Sequence, residues 1–397
     1  MGLGGMEIEE RSFVAALLWR TAKCGCVAAG VLAKKRIVRS GGSDESKSEV
    51  KGNGNRNGKN EKGDLAMRIL ISIFWFLTVC GGAGAQAAGR AQSGETTMRS
   101  GGWEPSAGHA QIQIWPGVAP DAGLQDRVGP ERVETSGKDE LIAGRRTVGV
   151  FNVTRPTMTV YSPAGKNTGV AMIVFPGGGY QNLAIDLEGT EVCDWLTSRG
   201  MTCVLLKYRV PNTGPHWVEK CKCQVYPRAP MALEDAQRTV GLVRHRAAEW
   251  GIDPHKIGVL GFSAGGHLVA AISTRYGKRL YAAVDAADQV SCRPDFAVVL
   301  YPGHLRLHDE NFGLNPEIRP TRETPPTFVV QDEDDPVDDV ENSLVYFEAL
   351  KKAGVPAEMH IYAQGGHAFG LRKTKFPVTD WPELVEKWLR TIGMIAE

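Results

Sequence analysis

The sequence predicts an α/β fold, with one mostly parallel central sheet and helices on both of its faces. Three observations lead there. Short Val- and Ile-rich runs recur along the chain, and two of them, AMIVF and FAVVLY, are apolar throughout, as strands covered on both faces must be. Patterns with helical spacing separate these runs, and strands alternating with helices build a parallel sheet. The 397 residues carry 42% hydrophobic side chains and a net charge of +1. That is an ordinary globular balance with no field for a polyanion, so nucleic acid is not an expected partner.

The front of the chain reads differently. Residues 1–66 do not make a domain. Gly41–Gly63 is polar, rich in Gly and Asn, and cannot bury enough apolar surface to offset chain entropy, so it is expected to be disordered. Ser12–Ala33 is moderately apolar, but Arg20 and Lys23 interrupt it, which makes it too broken to span a bilayer. Met67-Arg68 then opens a secretory signal: a basic residue, the apolar run Ile69–Val79, and small-residue cleavage patterns at Ala83–Ala85 and Ala85–Ala87. Residues 67–87 are thus expected to be a signal peptide. Translation is expected to start at Met67, and 1–66 to be an over-extended or disordered leader. The destination is secreted or periplasmic, with no membrane contact after cleavage. Residues 88–110 are small and polar and read as a linker, leaving 111–397 as the folded domain.

Within that domain the expected strands are Thr157–Tyr161, Val170–Phe175, Thr202–Lys207, Lys256–Leu260, Phe296–Tyr301, Thr327–Gln331 and Glu358–Tyr362. Expected helices are Glu191–Ser198, Ala232–Trp250, Ala264–Thr274, Glu341–Ala353 and Trp381–Ile392, several of them ending at a glycine suited to a C-cap. Trp381 and Trp388 on the last helix are expected in the core.

Three motifs fall at strand ends. Gly261-Phe-Ser263-Ala-Gly265 follows an apolar strand and opens a helix. A Ser there needs a strained backbone to expose its Oγ, and small neighbours let adjacent segments pass close. The alternative is a plain turn with Ser263 as N-cap. Pro176-Gly-Gly-Gly-Tyr180 follows the second strand. Successive glycines can aim backbone N–H groups into a cavity, as in the HGGG-type loops that bind an oxyanion, with Pro176 in place of the His. No Gly-Lys-Ser/Thr ending marks a phosphate loop.

The third motif pairs an acid with a base. Thr327–Gln331 runs into the acidic loop Asp332–Asp339, and Glu358–Tyr362 into Gly365-Gly366-His367. The order Ser, acid, His is one that an activated nucleophile with its base and orienting acid can take. Asp335, before Pro336, is the first choice of acid and Asp334 the alternative. Asp332, Asp338 and Asp339 read as solvated loop charges, and the acidic cluster lacks the pattern of a calcium loop.

From Ile114-Trp-Pro-Gly117 to the C-terminus the chain resembles secreted bacterial α/β-hydrolases of the carbohydrate-esterase-like group, related to acetylxylan and feruloyl esterases. PGGGY, KYRVP (Lys207–Pro211), ALEDAQRTVGLVR (Ala232–Arg244), GFSAGG, CRPDFAVVLYPG (Cys292–Gly303) and GGHAFGL carry the resemblance. It implies an α/β-hydrolase fold with Ser263 as nucleophile, His367 as base and Asp335 as orienting acid. The Gly178, Gly179 and Ala264 amides would form the oxyanion hole, without cofactor or metal. It further implies hydrolysis of acetyl or feruloyl esters on plant polysaccharide fragments such as xylan. Where relatives often read Val-Val-Pro after the acid, this chain reads Val337-Asp338-Asp339. The rival readings are a peptidase of the prolyl-oligopeptidase type, for whose usual propeller the upstream residues leave no room, and a non-catalytic carbohydrate-binding protein on the same fold.

Five cysteines follow the signal. Cys193 and Cys203 are expected to be buried and structural. Cys221 or Cys223 could pair with Cys292, while a zinc site would need further ligands. The insertion Asn212–Ala229, with Trp217, Tyr226 and Arg228, reads equally as pocket wall or surface loop.

Overall fold

The computed structural model of the chain describes residues 97–120, 129–210, 216–218, 223–225, 229–307 and 312–396. The expected leader and signal peptide lie outside the described residues. Among the described residues the strands are β1 (Thr97–Ser100), β2 (Gln111–Gln113), β3 (Arg132–Thr135), β4 (Val148–Phe151), β5 (Thr157–Tyr161), β6 (Ala171–Phe175), β7 (Asn182–Ala184), β8 (Thr202–Lys207), β9 (His216–Val218), β10 (Cys223–Val225), β11 (Ile257–Phe262), β12 (Phe296–Leu300), β13 (Thr327–Asp332) and β14 (Ala357–Tyr362). The helices are α1 (Glu191–Ser198), α2 (Ala229–His245), α3 (Ala264–Arg275), α4 (Glu341–Ala353) and α5 (Trp381–Thr391).

Eight strands form the main sheet in the order β14-β13-β12-β11-β6-β8-β5-β2. From β8 to β14 every pairing is parallel, while β5 and β2 join antiparallel. Every residue of β6, β8, β11, β12 and β13 is buried, which explains why β6 and β12 read as unbroken apolar runs. The parallel alignment puts the C-terminal ends of β6, β11, β12, β13 and β14 along one edge, where ligand and catalytic groups gather in such sheets.

A second, antiparallel sheet in the order β1-β3-β4-β7 corrects the expected boundary at residue 111. Residues 97–110, read as linker, are part of the fold: β1 pairs with β3, and Trp103 is buried with its N–H donating to Glu131 Oε1 at 2.8 Å. Both Glu131 carboxylate oxygens also accept from Lys207 Nζ at 2.9 Å. At the other end of this sheet, β7 follows the glycine-rich loop directly and anchors it to β4.

Several stretches that carried the family resemblance hold the fold together. Trp115 Nε1 donates to Asp235 Oδ1 at 2.8 Å, and Arg209 Nε donates to the same carboxylate at 3.0 Å, all three side chains being buried. Arg238 donates to the Ile114 carbonyl at 2.8 Å and pairs with Asp285 and Asp288. A buried charge without its partner is costly, so these residues are fixed as a set. The cysteines are arranged otherwise than the proposed Cys292 pairing. Cys193 on α1 is bonded to Cys203 on β8, and Cys292 is a free buried thiol that donates to the Tyr276 carbonyl. Of the insertion, β9 and β10 form an antiparallel ribbon; Tyr226 and Arg228 lie outside the described residues.

Candidate active site

Ser263 occupies the turn between β11 and α3 with φ 51° and ψ −119°, a conformation that costs a non-glycine residue free energy and turns its side chain out of the sheet edge. Three backbone bonds hold it there: its N–H donates to the Leu300 carbonyl at 3.0 Å, and its carbonyl accepts from the N–H groups of His267 at 3.0 Å and Gly303 at 3.4 Å. Gly265 has to be glycine for lack of space, since a Cβ there would lie 2.0 Å from the Phe175 carbonyl oxygen. The serine turn is therefore pressed against the root of the glycine-rich loop.

That loop is folded back on itself. The Gly178 carbonyl accepts from Gln181 and Asn182, with Gly178 at φ +126°, and the Gly177 carbonyl accepts from Ala184 at the end of β7. A Cβ on Gly177 would come within 3.0 Å of Ser263 Cβ, so the loop runs beside the serine. Among the described residues the Gly178 and Gly179 N–H groups meet no acceptor, and Ala264 is the first residue of α3, where a helix leaves its N–H unsatisfied. Two free amides of a half-buried loop and one at the positive end of the α3 dipole are suited to an anion.

Asp335 and His367 come together as expected. His367 Nδ1 lies 2.7 Å from Asp335 Oδ2, both side chains being almost completely buried. The adjacent carboxylate, Asp334, faces elsewhere and accepts from the Gly365 and Gly366 N–H groups at 3.0 and 2.8 Å, holding the backbone of the histidine loop. Of the two candidate acids, Asp335 is the one whose side chain meets the histidine.

The Ser263 hydroxyl donates to Asp338 Oδ2 at 3.2 Å rather than to His367. Two of the carboxylates expected as solvated loop charges, Asp338 and Asp332, are not. The Asp338 side chain is 14% exposed, and Oδ2 stands 3.8 Å from His367 Nε2. The reason lies three residues upstream: Asp335 Oδ1 accepts from the N–H groups of Val337 and Asp338, and this turns the chain back toward the serine. Asp332 is also buried, with neither carboxylate oxygen hydrogen-bonded among the described residues, and burial followed by the charges of Asp334 and Asp335 pushes it up to about 8.

Charge around the histidine is one-sided. Burial alone would depress the imidazole, but Asp335, Asp338 and Glu188 outweigh it and carry His367 up to about 9. Burial lifts Asp338 to about 6, even though His367 and the Ser263 hydroxyl pull the other way.

Sequence reasoning missed Glu188 and Tyr301 as well. Glu188 is buried under the glycine-rich loop, where Oε2 accepts the Gly177 N–H at 2.6 Å and Oε1 the Tyr301 hydroxyl at 2.8 Å. Tyr301 stands edge-on to His367, with ring centroids 4.8 Å apart. One carboxylate thus ties the loop beside the serine to the wall behind the histidine. Asp186 and Glu191 lie within three residues of Glu188, so nothing in the sequence singled it out. Among the described residues no three His, Cys, Asp or Glu side chains gather as metal ligands.

Comparison with known proteins fits this geometry. The model of the prolyl oligopeptidase family matches residues 191–392, just over half of the chain. The solved structure of an acetyl ester-xyloside bifunctional hydrolase from Caldicellulosiruptor lactoaceticus is 32% identical with a TM-score of 0.54, over 72% of this chain and 97% of that one. An acetylxylan esterase of Xylanibacter ruminicola is 28% identical over 51% of this chain and 42% of its own length. An endo-1,4-beta-xylanase B of Butyrivibrio fibrisolvens is 28% identical over 52% of this chain and 33% of its own. The chain thus spans less than half the length of these two curated relatives. The chain belongs to the prolyl oligopeptidase family and has the α/β-hydrolase fold, within the carbohydrate-esterase-like group.

Proposed function

We propose that the protein is a serine carboxylic-ester hydrolase that removes small acyl groups, acetyl or feruloyl, from plant polysaccharide fragments such as xylan. The observation that carries the reading is the buried Asp335–His367 pair at 2.7 Å beside a serine held at positive φ. The xylan-related names of its relatives point to the same substrate class.

In the reaction the Ser263 hydroxyl turns from Asp338 to His367, which takes its proton as Oγ attacks the ester carbonyl. The Gly178, Gly179 and Ala264 N–H groups hold the oxyanion. His367 then protonates the departing alcohol, and water activated by the same imidazole releases the acid. Asp335 keeps the ring oriented and stabilises its charged form. Export by the signal at residues 67–87 belongs to the same proposal, and the Cys193–Cys203 disulfide, a bond favoured in oxidising compartments, supports it.

The test is p-nitrophenyl acetate hydrolysis by the full chain beside Ser263→Ala, followed by acetylated and feruloylated xylan fragments. Turnover in the parent and its loss in the variant are expected. Equal rates in the two folded proteins would sink the reading. The family match also favours a peptidase, and a prolyl p-nitroanilide assayed on the same pair separates the two activities.

A further inference from the structure

Asp338 is out of place in an esterase site. A carboxylate 3.2 Å from the attacking oxygen opposes the negative charge that the tetrahedral intermediate must carry. The structure nevertheless fixes it there. Its N–H is held by Asp335 Oδ1 at 3.0 Å and its carbonyl by Gln331 Nε2 at 3.1 Å. The carboxylate lies against Gly303, where a Cβ would fall 2.4 Å from Oδ1. It is also partly open, at 14% exposure, whereas the Asp335 side chain is sealed at 0%.

Its position says what it meets. The alcohol oxygen of an ester leaves by taking a proton from His367 Nε2, so it must come within hydrogen-bond reach of that atom. Asp338 Oδ2 is 3.8 Å from Nε2, the atom that the alcohol oxygen has to approach. An ionised carboxylate has no donor and about four acceptor sites, one of which takes the Ser263 hydroxyl. When that hydroxyl turns to His367, the site is left needing a donor from the substrate. A hydroxyl on the carbon next to the esterified one reaches it, while an alkyl alcohol brings nothing and an anionic alcohol is repelled.

We propose that Asp338 reads the alcohol side of the ester, its carboxylate accepting a hydrogen bond from a hydroxyl vicinal to the scissile bond. The site then selects partly acylated polyols over simple alkyl esters and over fully acylated ones. This rests on the esterase reading.

The test uses three small esters with the full chain: 2-hydroxyethyl acetate, ethyl acetate and ethylene glycol diacetate. The parent is expected to prefer the monoacetate of the diol by about tenfold or more in kcat/KM, the range of a hydrogen bond to a charged group. In Asp338→Ala that preference falls to near unity, and in Asp338→Asn it shrinks. If the alanine variant fails to fold, the parent's ratio and the asparagine variant decide. A parent that hydrolyses all three esters equally, or a preference that survives both substitutions, overturns the role of Asp338 and leaves the esterase reading standing. A parent that hydrolyses none overturns both.

Discussion

Replacing Asp338 by Asn should move the pH at which the enzyme switches on. A general base works only when neutral, so kcat/KM for an uncharged ester rises as pH passes the pKa of His367. Asp335, Asp338 and Glu188 hold that pKa up to about 9. Asp338 titrates near 6, so it is ionised throughout the interval in which His367 loses its proton. The 3.8 Å between Oδ2 and Nε2 sets the size of the effect. Coulomb's law gives about 1 kcal/mol at the dielectric of water and about 4 kcal/mol at an effective dielectric of ~20. At 1.36 kcal/mol per pH unit this is a shift of about 1 to 3 units. Asn removes the negative charge, so the acid limb of the profile moves to lower pH by at least about one unit. Measuring kcat/KM for p-nitrophenyl acetate from pH 5 to 10 in both proteins tests this. An unmoved limb, or one displaced upward, refutes the claim that Asp338 charges the histidine.

Other expectations follow from single contacts. Glu188→Ala releases the Gly177 amide and the Tyr301 hydroxyl, and kcat should drop by up to about 100- to 1,000-fold, the range for a lost oxyanion donor, with a smaller change in KM. Asp332 holds its proton to about pH 8 in the folded chain against an ordinary carboxylate value of ~3.9, so between these values the folded state binds more protons and stability falls as pH rises. Asp332→Asn removes that contribution, so melting temperature should decline less from pH 5 to pH 9 than in the parent, and an equal decline counts against a buried protonated Asp332. Opening the Cys193–Cys203 bond, which closes a loop of sequence separation 10, should cost about 3 kcal/mol in urea unfolding by the chain-entropy relation.

How far the sequence could be read depended on where each signal comes from. The buried strands were legible because burial on both faces forces an apolar run, and α1 and α4 were legible to the residue. The antiparallel β1-β3-β4-β7 sheet was not, because its strands are only three or four residues long and mostly half-exposed. Ser263 and His367 announced themselves by glycine-flanked turns at strand ends. Asp335 could not be separated from Asp334, since adjacent side chains point different ways and only the fold decides which meets the histidine. Asp338 was misread because its burial is made by Gly303, which comes from a different loop. Its departure from Val-Val-Pro was visible in the sequence, but it looked like doubt about the acid when it in fact delivers another charge to the nucleophile. Cys193 and Cys203 were expected to be structural, while their pairing depends on α1 lying on β8.

Gln331 bonds Asp335 Oδ2 at 3.0 Å and the Asp338 carbonyl at 3.1 Å, and its own carbonyl accepts from Ser343 on α4. Asp335, which meets the histidine, and Asp338, which meets the serine, are therefore carried by one turn under one clamp. A lineage under selection for a new ester cannot retune one of them in isolation. A change in the turn that admits a different alcohol also alters the strength of the base, so new substrates and new working pH values should arise together.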